Sequence, residues 1–367
     1  MSDGKELSRI PCLDGIRAVA ALMVMMFHFI GHRGESQRIM HYAVIGQTGV
    51  DLFFVLSGFL ITRILMRSKN DEHYFRTFYT RRVLRIFPLY FLFLIIFFFL
   101  LPPLLSQPIP SFHSQIWTWL YLQNIPATFP GFQSSGPDHF WSLAVEEHFY
   151  LIWPLMVIVL SPKRFMNLVF ITLAFPPVLR LIFESLGIGV YYFTLTRMDS
   201  LAFGALLAAL LGDNELGRKR FVLLFRFLLV AIPALFLPTF VLFSGDGLGW
   251  IQVIKISLIP AFYFALIGFC LVDPSSRYLA GMFSFKWLRW LGTISYGLYV
   301  FHPTCFTIVQ RFVGPVNYFI DVGLSFGLTV ALAYLSFRFF ESPFLRLKRR
   351  FGYGLRDTSG SAEQPVI

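Results

Sequence analysis

Arg17 and His28 stand eleven residues apart in "LDGIRAVAALMVMMFHF". At about 100° per residue a helix returns them to one face, roughly 16 Å apart along its axis, and Asp14 joins the same stripe. A guanidinium suits phosphate oxygens, and an imidazole is a general acid or base near neutral pH. Arg82 and Arg85 in "YTRRVLRIFPLY" share a face where a helix begins. Spacing alone leaves open whether they are a topology signal, a lipid-headgroup anchor or a phosphate site. Glu146 and Glu147 in "HFWSLAVEEHFYLIWP" point about 100° apart, so at most one faces a narrow site squarely. Carboxylates that deep in an apolar helix point to function. Ser295, Tyr299 and His302 fall at i, i+4 and i+7 on one helical face, with Pro303 following. Interhelical hydrogen bonding is the rival explanation for that face and for Arg17 and His28. Asp51 and Asp199 sit near the outer ends of their helices, with Arg197 placed to pair locally with Asp199.

The elements that must position these groups follow from composition. A chain of 367 residues that is 56% hydrophobic, 18% aromatic and 14% charged is an integral membrane protein. Apolar runs near 20 residues, the length of a bilayer-spanning helix, predict an all-α bundle of about ten transmembrane helices and exclude a barrel. The expected spans are 11–32, 45–66, 83–105, 140–160, 164–186, 196–212, 220–244, 250–272, 288–312 and 316–344. The first is not a cleavable signal, because Asp14 and Arg17 interrupt it and no small-residue cleavage site follows. Residues 1–356 form a single transmembrane domain, 357–367 a disordered cytoplasmic tail, and no appended extracytoplasmic domain is expected.

The net charge of +11 reports topology. Twenty-one Lys and Arg lie in one alternating set of connections and termini, against Arg33 and Arg38 in the other. The positive-inside rule therefore puts both termini in the cytoplasm. Nucleic-acid binding would gather basic residues with stacking aromatics on one face, and no nucleic-acid partner is expected. The loop 106–139 lacks Lys and Arg but carries "IWTWLYLQN", which reads as an interfacial aromatic helix or lid. Cys12, Cys270 and Cys305 have no paired spacing and read as apolar fillers.

Depth then sorts the polar groups into two layers. His28, Asp51, Glu146, Glu147 and His302 fall in the outer half; Arg17, Arg82, Arg85 and Glu341 fall in the inner half. No metal is expected, since no His-x-x-x-His pattern occurs and the ligands would come from separate helices. Residue types alone leave two classes standing: an enzyme, or a transporter or flippase lined by buried charges.

The stretches "LDGIRAVAALMVMMFH", "GVDLFFVLSGFLIT", "RRVLRIFP", "FWSLAVEEHFYLIWP", "RMDSLAFGALLA", "ISYGLYVFHP" and "FESPF" run in order from about residue 10 to 345. In them the chain resembles membrane-bound acyltransferase family 3, bacterial multi-pass proteins that O-acylate cell-envelope and exported glycans. The family's Arg-x10-His maps onto Arg17 and His28, its Arg-x-x-Arg onto Arg82 and Arg85, and its Glu-Glu pair onto Glu146 and Glu147. His148 departs from the Gln that often follows that pair. The resemblance implies a cytoplasmic acyl-CoA donor, commonly acetyl-CoA, and a glycan acceptor, polysaccharide or lipid-linked, outside the bacterial inner membrane. It also implies membrane lipid neighbours. An acceptor that is a small molecule or lipid stays open. Some relatives carry an extra helix and an extracytoplasmic hydrolase-like domain, so this chain would finish transfer itself or use a separate glycan-biosynthesis partner.

On that footing Arg82, Arg85 and Arg17 would hold coenzyme A phosphates and His28 would be the general base. Glu147 or Glu146 would orient it, and Asp14, Asp51, Asp199, Tyr299 and His302 would line or support the site. Oxyanion donors would be Tyr299, His302 or a backbone amide. A covalent acyl-enzyme, on Ser57 for example, has no elbow-like motif behind it, so direct transfer is preferred.

Overall fold

The computed structural model describes residues 10–31, 45–212, 220–242, 249–313 and 317–352. Every regular element among them is helical. In chain order the α-helices of seven residues or more are α1 (Pro11–Gly31), α2 (Gly49–Arg67), α3 (Tyr74–Ile95), α4 (Phe112–Trp119), α5 (Trp141–Val159), α6 (Pro162–Ser185) and α7 (Thr194–Leu211). Then follow α8 (Val222–Leu242), α9 (Gly249–Val272), α10 (Arg277–Phe283), α11 (Lys286–Thr293), α12 (Ser295–Val313), α13 (Tyr318–Leu335) and α14 (Ser342–Lys348). The expected tail 357–367 and the charges Arg33 and Arg38 lie outside the described residues.

Among the described residues, eight helices are long and apolar enough to cross a membrane. The other two expected spans are also helical. Only Val222–Leu235 of α8 is described as an apolar stretch, and α12 falls short because Ser295, Tyr296, Tyr299, His302, Gln310 and Arg311 dilute its hydropathy. The third span starts at Tyr74, some two turns before the expected residue 83, so Arg82 and Arg85 lie within a helix and not at its mouth.

Two segments carry π turns. One, Ile96–Leu100, precedes Pro102 and Pro103, which have no N–H to give the preceding carbonyls. The other, Ser336–Glu341, continues α13 and turns Glu341 inward, where Ser336 Oγ donates to its carboxylate at 3.0 Å.

The centre of the bundle is the α2–α7 contact. It is close because both surfaces carry glycine: a Cβ on Gly58 would lie 2.0 Å from the Leu201 carbonyl oxygen, and one on Gly204 2.1 Å from that of Val55. Small residues let helix backbones approach where lipid supplies no hydrophobic drive between them. Two ion pairs fasten the same region. Arg197 of α7 reaches Asp51 of α2 at 2.6 Å, and Arg180 of α6 reaches Asp199 of α7 at 2.6 Å, with both guanidiniums fully buried. The expected local pairing of Arg197 with Asp199 is thus replaced by pairs between helices. Two residues along a helix turn about 200°, so the two groups face different neighbours.

The segment before α5 is packed against the bundle through part of its length. Thr118 and Asn124 are fully buried. Tyr90 of α3 donates to the Thr118 carbonyl at 2.6 Å, and Asn124 donates to Thr194 of α7 at 2.8 Å. Tyr121 takes the left-handed conformation at φ 58°, which costs a non-glycine residue about 1 to 3 kcal/mol. Stacking on Tyr90, with ring centres 4.0 Å apart, and on Phe87 holds it there.

Candidate active site

A cavity of about 560 Å³ opens between α1, α2, α3, α5, α12 and the α13–α14 segment. Its wall carries seven basic residues, Arg17, Arg63, Arg81, Arg82, Arg85, Lys348 and Arg349, against three acidic ones, Asp14, Glu146 and Glu341. That balance suits a polyanion, because a low-dielectric cleft of one sign focuses its field. Arg17 is tied to Asp14 at 3.6 Å, the i, i+3 neighbour seen in the sequence. Arg82 lies over the rings of Phe78 and Tyr150, at 5.7 and 5.1 Å. Arg81 donates to the Phe351 carbonyl at 2.6 Å and so braces the end of α14.

Glu146 lines this cavity and Glu147 does not, as their angular separation requires. Glu146 lies beside the Ser57 and Tyr150 hydroxyls and within electrostatic reach of Arg82 and Arg17, and Ser57 and Tyr150 are hydrogen bonded to each other. Glu147 interacts electrostatically with Glu146 and Arg82. His148, the departure from the family pattern, turns away from the cavity and pairs its Nδ1 with Thr194 Oγ1 at 2.7 Å.

Beyond the cavity lies an imidazole cluster. His28 Nδ1 and His302 Nε2 are 3.0 Å apart. The ring of His139 is 5.0 Å from that of His302 and 6.2 Å from that of His28. His302 is placed directly against His28, while Glu146 lies in the cavity wall on the side of the guanidiniums. Tyr299 belongs to both regions. It lines the cavity, its ring lies 5.8 Å from His302 and 5.2 Å from His139, and its hydroxyl bonds Ser142 Oγ at 2.6 Å and donates to the His139 carbonyl.

The structure therefore gathers Asp14, Arg17, Arg82, Arg85, Glu146 and Tyr299 on one cavity and His28 and His302 in the adjoining cluster. Asp51 and Asp199 are held in the buried ion pairs of α2, α6 and α7, outside the cavity lining. Sequence reasoning assigned no role to His139, which sits in the short 3-10 turn Asp138–Phe140 and carries no helical register to flag it. It also read Arg81, Lys348 and Arg349 as topology charges and passed over Arg63. Among the described residues no group of three or more His, Cys, Asp or Glu side chains is arranged to hold a metal ion.

Comparison with known proteins gives a consistent picture. A family described as an acyltransferase domain matches residues 10–338. Peptidoglycan O-acetyltransferase OatA of Listeria monocytogenes is 31% identical over 91% of this chain and 55% of its own length. Putative peptidoglycan O-acetyltransferase YrhL of Bacillus subtilis is 33% identical over 91% of this chain and 54% of its own. A putative O-acetyltransferase of Staphylococcus aureus (strain COL) is 29% identical over 93% of this chain and 58% of its own. The chain spans about half the length of the curated relatives it matches. No solved structure matches it.

Proposed function

The chain belongs to the acyltransferase family matched over residues 10–338, and from that premise we propose that it O-acetylates a cell-envelope glycan, peptidoglycan in the first instance. The donor is acetyl-CoA supplied from the cytoplasm, the acceptor hydroxyl lies on the outer side of the bacterial inner membrane, and both termini are cytoplasmic. The observation that carries this reading is the cavity lined by seven basic side chains and by Tyr299, which packs against the imidazole cluster.

Arg82, Arg85 and Arg17 bind the donor's phosphates through charge-assisted hydrogen bonds. Asp14 steadies the Arg17 fork through their ion pair and Glu146 steadies Arg82 electrostatically, and the acyl-bearing arm extends past Tyr299 toward His28. His28 takes the proton of the acceptor hydroxyl as its oxygen attacks the thioester carbonyl. The tetrahedral adduct collapses with cleavage of the carbon–sulfur bond, and the proton on His28 passes to the leaving thiolate. The products are the O-acyl glycan and free coenzyme A.

Purified protein in detergent, given radiolabelled acetyl-CoA and soluble peptidoglycan fragments, is expected to release coenzyme A and label the glycan. An intact thioester after long incubation would instead support a carrier. Mass spectrometry of surface glycans from a deletion strain, searched for a lost acetyl mass, identifies the acceptor.

A further inference from the structure

The imidazole cluster contains its own instruction for which nitrogen of His28 carries a proton, and it begins at a proline. In an α-helix each carbonyl accepts from the N–H four residues on. For Tyr299 of α12 that residue is Pro303, which has no N–H to give. The buried carbonyl left over is taken by the His302 side chain, whose Nδ1 lies 2.8 Å away. A carbonyl oxygen only accepts, so His302 Nδ1 carries the proton and its Nε2 is left as an acceptor.

His28 Nδ1 stands 3.0 Å from that acceptor and 2.9 Å from the carbonyl oxygen of Val24. Both neighbours demand a donor. The reverse arrangement would set a nitrogen lone pair of His28 against the Val24 oxygen. We propose that His302, oriented by the carbonyl that Pro303 releases, is a positioning residue that fixes neutral His28 as the Nδ1–H tautomer. Nε2 of His28 is then the nitrogen that accepts the hydroxyl proton. When it does, the imidazolium keeps its Nδ1–H bonded to His302, a neutral acceptor in the place that a carboxylate takes in serine hydrolases. What Nε2 does rests on the transferase reading; the tautomer itself does not.

The test is nitrogen NMR of the full chain, labelled with [15N]histidine in detergent micelles, at about pH 9 where imidazoles are neutral. The His28 signals are identified by their loss in His28→Asn. The expected result is a protonated Nδ1 and a bare Nε2, giving way to a mixture of tautomers in His302→Leu. A wild-type His28 protonated at Nε2 overturns the proposal, and so does an unaltered tautomer in His302→Leu. Pro303→Ala, which keeps both imidazoles and restores an N–H to the Tyr299 carbonyl, is expected to shift His28 in the same direction; no shift removes the proline from the argument.

In the transfer assay His302→Leu is expected to lower kcat by about 10²-fold at an unchanged donor KM. His302→Gln, which keeps an acceptor near the position of Nε2, recovers most of that loss. Equal losses in the two variants count against positioning. A wild-type protein that leaves acetyl-CoA intact sinks the transferase reading while the tautomer measurement stands.

Discussion

Arg197 crosses from α7 to α2 to meet Asp51 at 2.6 Å, and Ser200 Oγ adds a second hydrogen bond to the same carboxylate oxygen at 3.0 Å. Asp199 of α7 takes Arg180 of α6 and Ser257 of α9. Two helices are thereby tied to α7 by ion pairs and α9 by a serine hydroxyl, where glycine contacts already bring α2 close. Removing one partner strands a fully buried ion, which costs about 3 to 5 kcal/mol. Asp51→Ala is therefore expected to lower the midpoint of unfolding in detergent sharply, and Asp51→Leu combined with Arg197→Met to lose much less. Double-variant losses that equal the sum of the single ones would show that the two charges do not act as a pair.

The guanidinium cradle predicts a kinetic split. A hydrogen bond to a charged group is worth about 1.5 to 3 kcal/mol, or roughly 10- to 150-fold in affinity. Arg82→Ala and Arg85→Ala are each expected to raise the donor KM by that order while the acceptor KM stays within a few-fold. Glu146→Gln is expected to raise the donor KM less, because it loosens the arginines and leaves their charge. A donor KM unmoved by both arginine changes would rule out phosphate binding at this end of the cavity.

His28→Ala tests the chemical step. Loss of a general base slows transfer by about 10² to 10⁴-fold. Binding of coenzyme A, followed by calorimetry, should be preserved in this variant, because His28 is outside the cavity lining that holds the arginines. Transfer at the wild-type rate would remove His28 from the mechanism.

Helix type and most boundaries were legible because bilayer length imposes long apolar runs, and α1 was legible in detail because Asp14, Arg17 and His28 repeat on one helical face. Partners between helices were not. Nothing in the local pattern says that Arg197 faces Asp51, 146 positions away, or that Arg180 of α6 completes Asp199. The electrostatic coupling of Glu146 to the arginines was not legible either, because depth along a helix says nothing about azimuth, and azimuth is what turns its carboxylate into the cavity they line. His302 was visible as polar, but its partner depends on how α1 and α12 pack. The meaning of Pro303 was written in the register of α12 all along, four residues after Tyr299.

The last prediction concerns pH and a pair remote from the cavity. At the end of α9, Asp273 receives Arg226 Nε at 2.6 Å and Nη2 at 2.9 Å, together with the Ser275 backbone N–H at 2.8 Å. These donors favour the charged carboxylate, the Arg226 bonds most, and hold its pKa below the ordinary aspartate range. A carboxyl depressed on folding contributes stability that is complete above its unfolded pKa of about 3.9 and is lost as pH falls through the lower folded value. The Arg226 side chain is half exposed, so solvent screening keeps the effect modest. Asp273→Asn is therefore expected to have a lower Tm than wild type at about pH 6, with the gap closing steadily below about pH 4. A gap that stays constant down to the acid limit would mean that the carboxylate's charge contributes nothing, and that the connection from α9 into α10 is held by the Ser275 turn alone.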